Sequence, residues 1–303
     1  MLAIVCPGQG AQSPGMLTPW LEIDDVRTAI GEYSEASGLD LAELGTTADA
    51  DTIRDTAVAQ PLLVATALAT YSALGSISPA VVAGHSVGEF AAAAVARVLS
   101  RKGAVSLVRA RGIAMAEAAA TSEETSMAAI LGGAEDEVAS KLVEFGLTPA
   151  NVNGGGQVVA AGSASAIAAL IADPPARARV IELQVAGAFH TQYMVPAVSV
   201  LAEAASAYTR RDPDIALLTN ADGSVVKTGD EAVAGLVAQV ARPVRWDMCM
   251  DTMLQMGVTG IIELAPGGVL TGLAKRAMKG VPTVALKTPD DLAAALELAR
   301  NVE

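Results

Sequence analysis

The stretch from Ala80 to Leu99 constrains this chain more than any other. Ala80-Val81-Val82-Ala83 is short, apolar and β-prone; it runs directly into Gly84-His85-Ser86-Val87-Gly88, and an alanine-rich helical segment follows to about Leu99. A buried strand turning at once into a helix is the unit of an α/β protein. Glycines at 84 and 88 remove side chains where the chain reverses, so Ser86 can stand exposed on a strained turn. The helix N-terminus beneath it favours negative charge on an oxygen. The competing reading is a plain glycine-rich turn with a serine cap. Having the strand before it and the helix after it favours a nucleophile elbow.

The rest of the sequence alternates in the same way. Residues 2–6 form a first strand, followed by the loop Pro7-Gly8-Gln9-Gly10-Ala11-Gln12 and helices over about 25–37, 52–74 and 101–119. From Ser122 the rhythm changes to strand, helix, strand, strand, helix, strand, the order of a ferredoxin-like module. After Gly187 the larger pattern returns, with strands at 215–219, 260–264 and 282–286 and helices across 230–256, at 268–279 and at the end. The expected fold class is α/β: a large domain with a mainly parallel sheet, residues 1–122 and 190–303, interrupted by a small ferredoxin-like domain, residues 123–189.

Composition narrows the function classes. A charge of −13 repels polynucleotide phosphates, so no nucleic acid partner is expected. The longest apolar run, Leu62 to Leu74, is too short to span a bilayer, and Leu2–Cys6 reads as a strand, not a signal peptide. The two cysteines, Cys6 and Cys249, offer no metal-ligand spacing and fit a reducing cytoplasm.

A serine hydroxyl needs a base, and the chain has only two histidines. His85 adjoins Ser86 and points elsewhere. His190, in Gly187-Ala188-Phe189-His190-Thr191, lies where the small module returns to the large domain, at a cleft that could face the elbow. A lone histidine is more often a cap or a packing residue; an elbow with no competing base makes the catalytic reading the stronger one. The loop at 7–12 ends the first strand and shares the crevice beyond the strand ends, where one of its N–H groups could join that of Val87 in an oxyanion hole. A tight turn is the alternative. Arg109 and Arg111, on the helix after the elbow helix, have the side chain that forks a carboxylate, but position alone does not separate that from a solvated charge.

Taken in order, PGQGAQ, GHSVGEF, VRARG, NVNGGGQVVAAG, GAFHT, QVARPVRW and ELAPGGVLTGLAKR make the chain resemble, over nearly its whole length, the malonyl-CoA:acyl carrier protein transacylases and the acyltransferase domains of polyketide synthases. The resemblance implies an α/β-hydrolase-like large domain with a ferredoxin-like insertion. It implies Ser86 as nucleophile, His190 as base, and the backbone N–H groups of Gln9 and Val87 as the oxyanion hole. By the same likeness, the Gln239 carbonyl orients the histidine and Arg111 pairs with a malonyl carboxylate. Val87 and Phe189 match the malonyl-selecting version, Asn151 and Asn153 fall near the mouth of the acyl site, and the triple glycine at 154–156 departs from the family's usual loop.

The implied reaction is a ping-pong transfer of malonyl from malonyl-CoA through a Ser86 ester to the phosphopantetheine thiol of an acyl carrier protein, with no metal or redox cofactor. It implies a monomer that meets its acidic carrier on a local basic patch, either Lys275, Arg276 and Lys279 or Arg97, Arg101 and Lys102. Two rivals stay open. A serine hydrolase would use Asp136 or Asp173 behind the histidine, and a scaffold would bind without turnover.

Overall fold

The computed structural model describes residues 1–302. Strand β1 (Leu2–Cys6) leads through the loop at 7–12 to helices α1 (Asp24–Ser37), α2 (Leu41–Thr46) and α3 (Thr56–Ala73). Next come β2 (Val81–Gly84), α4 (Gly88–Val95) and the long α5 (Arg101–Thr121). The chain then leaves for a second sheet: β3 (Thr125–Gly132), α6 (Glu135–Glu144), β4 (Thr148–Gly154), β5 (Gln157–Ser163), α7 (Ala164–Ala172) and β6 (Ala178–Leu183). It returns with α8 (Val195–Ser206), β7 (Ala216–Leu218), β8 (Val225–Val226), α9 (Gly229–Gln239), β9 (Val244–Arg245) and α10 (Trp246–Gln255). β10 (Gly260–Glu263), α11 (Val269–Ala277), β11 (Thr283–Ala285) and α12 (Asp291–Val302) complete it.

The first sheet has the order β11-β10-β1-β2-β7-β8, parallel throughout except for β8. Alternation along its strands separates two apolar layers: Leu2, Ile4 and Val82 pack on one face, and Ala3, Val5, Val81 and Ala83 on the other. From β1 the chain crosses to β2 and β7 on one side, and later to β10 and β11 on the other. The carboxyl ends of β1 and β2 therefore flank the point where the winding reverses, the usual place for a ligand.

The second sheet has the order β6-β3-β5-β4-β9. Ala128, Ile130 and Ala160 face α6 and α7, while Met127 and Ala161 join the core of the large layer. Its fifth strand was not expected from sequence. β9 comes from the returning chain and pairs in parallel with β4, Asn151 with Val244 and Val152 with Arg245.

Other departures have local causes. The elbow helix stops at Val95, short of Leu99, because Arg97 takes a left-handed φ of 63° and Val98 N–H turns back to the Ala93 carbonyl at 2.8 Å. Val98 and Leu99, which the expected alanine-rich helix includes, lie buried in the connection that follows it. α2, α8 and β8 are additional, too short or too weakly patterned to read in advance. Arg109 supports the backbone of α3. Pro61 sits inside that helix and offers no N–H to the Ala57 carbonyl one turn back, and Arg109 Nη1 donates to that oxygen instead.

Candidate active site

The elbow forms because no side chain intervenes at its two glycines. A Cβ on Gly84 would lie 2.0 Å from the Gly88 carbonyl carbon, and one on Gly88 would lie 2.2 Å from the Cys6 oxygen. Ser86 between them is held at φ 51°, in the left-handed region that a serine normally avoids. His190 is held likewise, at φ 61°. Only four non-glycine residues among those described have positive φ, and these are two of them. Such backbone costs on the order of 1–3 kcal/mol each and persists only where its surroundings enforce it.

These two residues meet. Ser86 Oγ lies 2.7 Å from His190 Nε2, and His190 Nδ1 lies 2.9 Å from the main-chain oxygen of Gln239. A carbonyl only accepts, so Nδ1 carries the hydrogen and Nε2 is left to accept from the serine. Burial, with the Arg111 charge added, pushes the imidazole down to about 3, so it is neutral at physiological pH and its Nε2 lone pair is free to accept a proton. Asp136 and Asp173, the alternative carboxylates, are exposed on the second layer, Asp173 paired with Lys141 at 2.5 Å; neither reaches His190.

Around the pair lies a cleft of about 420 Å³ between the two sheets. The loop at 8–12, Arg111, Asn151, Asn153, Phe189 and the start of α11 line it. The loop presses on the elbow: a Cβ on Gly8 would come within 2.8 Å of His85. Among the described residues, the backbone N–H groups of Gln9 and Val87 donate to no protein acceptor. His85 turns away from Ser86, its Nε2 2.8 Å from Asn153 Oδ1 and its ring edge-on to Trp246 at 5.8 Å. Burial lowers its pKa as well.

Arg111 is buried at 1% exposure, with its guanidinium 5.7 Å from the Phe90 ring. Nη1 donates to Gln60 Oε1 at 2.8 Å; Nη2 donates to Gln239 Oε1 at 2.8 Å and approaches Ser86 Oγ at 3.4 Å. Its Nε–H is buried with no partner among the described residues. Desolvation brings the group down only to about 10, so it stays cationic. Among the described residues no ionised carboxylate pairs with it at salt-bridge distance, which leaves its charge open to a ligand in the cleft.

Four polar contributions went unread in the sequence: Gln60, Glu89, Asn220 and the side chain of Gln239, all buried. Glu89 accepts from Asn220 N–H at 2.6 Å and from Gln239 Nε2, and burial raises its carboxyl to about 8. The available signal was a lone polar residue inside an apolar run, as in Glu89 before Phe90-Ala91-Ala92-Ala93. Among the described residues, no group of three or more His, Cys, Asp or Glu is placed to hold a metal ion, and no helix is long and apolar enough to cross a membrane.

The fold and the cleft together define an α/β enzyme built around a buried serine–histidine pair. The chain belongs to the acyl transferase domain family, whose profile matches residues 3–294, and it is an acyltransferase. It is similar to the malonyl CoA-acyl carrier protein transacylase of Mycobacterium tuberculosis (strain H37Rv), with 49% identity over 297 residues covering 96% of this chain and 98% of that one. A crystal structure of MCAT from Mycobacterium tuberculosis superposes with a TM-score of 0.93 at 49% identity, covering 99% of each chain. A complex described as a type II PKS acyl-carrier protein with its malonyl-transacylase gives a TM-score of 0.91 at 31% identity, covering 98% of this chain and 99% of that one.

Proposed function

We propose that this chain accepts the malonyl group of malonyl-CoA on Ser86 and passes it to the phosphopantetheine thiol of an acyl carrier protein, supplying fatty acid or polyketide synthesis. The observation that carries this reading is the buried Arg111, its Nε–H unpartnered, standing beside the Ser86–His190 pair. A serine ester needs the pair; a free carboxylate at the far end of the acyl group needs the arginine.

His190 Nε2 takes the hydroxyl proton as Ser86 Oγ attacks the thioester carbon. The Gln9 and Val87 amides receive the oxyanion, and Nδ1–H held by the Gln239 carbonyl steadies the imidazolium. Collapse expels the CoA thiolate, which takes the proton back from His190. The carrier thiol then repeats the sequence in reverse, releasing Ser86. No step requires a metal or a redox cofactor. Arg111 pairs the malonyl carboxylate, Phe189 bounds the acyl pocket, and Asn151 and Asn153 stand at its mouth.

For the carrier, the cluster Lys275, Arg276 and Lys279 has more support than Arg97, Arg101 and Lys102. α11 begins at the cleft with Val269 and Leu270; Lys275 and Arg276 in its last turn, and Lys279 just after it, are exposed. In the second cluster Arg97 pairs with Asp214 at 3.3 Å and Lys102 with Glu32 at 3.3 Å. The strand order β6-β3-β5-β4, with α6 and α7 on one face, supports a ferredoxin-like insertion at 123–189 in an α/β-hydrolase-like domain of residues 1–122 and 190–303. We take the protein to act as a monomer in the cytoplasm.

The test is intact mass after mixing with malonyl-CoA. A malonyl adduct that Ser86→Ala abolishes, and that holo carrier protein discharges onto itself, is the expected result. Release of free malonate with no carrier product would mean a hydrolase instead.

A further inference from the structure

The left-handed Ser86 needs a restraint, and Asn220, directly beyond the β7 end of the sheet, provides one. It is fully buried and does not line the cleft. Its Oδ1 accepts from Ser86 N–H at 2.7 Å, and its Nδ2 donates to the Gly84 carbonyl at 2.7 Å. One planar amide thus spans both arms of the elbow. The amide is itself fixed from several sides. Asn220 N–H donates to Glu89 Oε1 at 2.6 Å, Gln239 Nε2 donates to Asn220 Oδ1 at 3.2 Å, and Arg245 N–H donates to the Asn220 carbonyl at 2.8 Å.

We propose that Asn220 is a positioning residue that clamps the elbow through Ser86 N–H and Gly84 C=O and so holds Ser86 Oγ in line for attack. The clamp also occupies the serine's own N–H, which leaves the neighbouring Val87 and Gln9 amides to meet the oxyanion. It rests on the reading of Ser86 as the residue that carries the acyl group. The side chain must both accept and donate: alanine does neither, and an ionised aspartate accepts from Ser86 but repels the Gly84 oxygen. A protonated aspartic acid does both again, with its O–H in place of the amide N–H.

That difference gives a readout that loss of packing would not. The charged or titratable groups around position 220 are Glu89 on α4, Arg245 on β9 with its partner Asp247, Cys249 on α10 and Asp222 on the turn after β7, with Arg111 and His190 beyond the Gln239 amide. Position 220 is fully buried and burial disfavours a carboxylate's charge, so an aspartate there takes up its proton in a range where the enzyme can be assayed.

The experiment measures pre-steady-state malonyl loading from malonyl-CoA, and in parallel the labelling of Ser86 by a serine-directed phosphonate, for wild type, Asn220→Ala and Asn220→Asp, well below each melting temperature. Asn220→Ala is expected to load about 100-fold more slowly with KM for malonyl-CoA within about twofold, and phosphonate labelling should slow in step. Asn220→Asp should be as slow near about pH 8, its ratio to wild type rising as the pH falls toward about 5.5. Unchanged loading by Asn220→Ala would overturn the clamp, as would a flat ratio for Asn220→Asp. Should Asn220→Ala not fold, Asn220→Asp decides alone. Failure of the wild type to load, with phosphonate labelling intact, would count against the malonyl reading and not against the clamp.

Discussion

His190 Nδ1 and the Gln239 main-chain oxygen are 2.9 Å apart, so the imidazole is oriented by a neutral carbonyl where a hydrolase triad would place a carboxylate. A carbonyl survives any substitution of its side chain. Gln239→Ala should therefore keep the histidine aligned while leaving Arg111 Nη2 and Glu89 short of partners. The expected loss in malonyl loading is about tenfold, against about a thousandfold or more for His190→Ala. Equal losses in quench-flow loading would show that the side chain, not the carbonyl, carries the orientation.

Arg111→Ala should separate acyl groups. With a malonyl chain, the variant leaves a carboxylate unpaired in the cleft, a penalty of about 3 kcal/mol or roughly 100-fold in rate. With an acetyl chain there is no carboxylate to lose. Loading from malonyl-CoA and acetyl-CoA, compared in one preparation, checks this, and parallel losses would remove Arg111 from substrate recognition.

The acid limb of the rate profile should be displaced. His190 is neutral down to about 3 in the folded protein, against 6.5 for a free imidazole. In the free enzyme, kcat/KM for loading should thus stay level through the region where an exposed histidine titrates. Folding follows the same sign. The unfolded chain takes up this proton near 6.5 and the folded chain only near 3, so the contribution is complete above the first value and lost as pH falls toward the second. A bound malonyl carboxylate offsets the field of Arg111, so the limb in kcat should lie at higher pH than that in kcat/KM. Coincident limbs near 6.5 would contradict the burial of the base.

Gly84→Ala should cost more than about 3 kcal/mol, because the new methyl would meet only backbone, with the Gly88 carbonyl carbon at 2.0 Å and its oxygen at 2.1 Å. Gly31→Ala is the control. It lies within α1, where beyond its chain neighbours and the helix's own backbone no atom lies within 4 Å of the added carbon, and a gain of about 0.5–1 kcal/mol is expected there. Urea unfolding of both variants tests the contrast.

How far the sequence could be read depended on the range of the interaction. Local signals located the elbow, since two glycines around a serine and the apolar strand before it act over adjacent residues. His190 was reachable by elimination, because only one other imidazole competes. β9 was not, because a two-residue strand has no pattern of its own and is defined by β4, far away in the chain. Asn220 was missed for the same reason: its meaning lies in Ser86 and Gly84, to which only the folded sheet brings it. Arg109 and Arg111 stand two positions apart on one helix. One turns to mend the backbone around Pro61 and the other turns into the cleft, a distinction no spacing rule contains.

The pairing of β9 with β4 ties the two halves of the molecule together by main chain. Val244 and Arg245 follow closely on Gln239, whose oxygen steadies His190, and they also extend the sheet that carries Asn151 and Asn153. The lobes are therefore stitched, not merely apposed. Any widening of the gap that admits a bulky donor would pull on the same short thread of backbone that aims the base, so entry of substrate and readiness of the imidazole are mechanically joined.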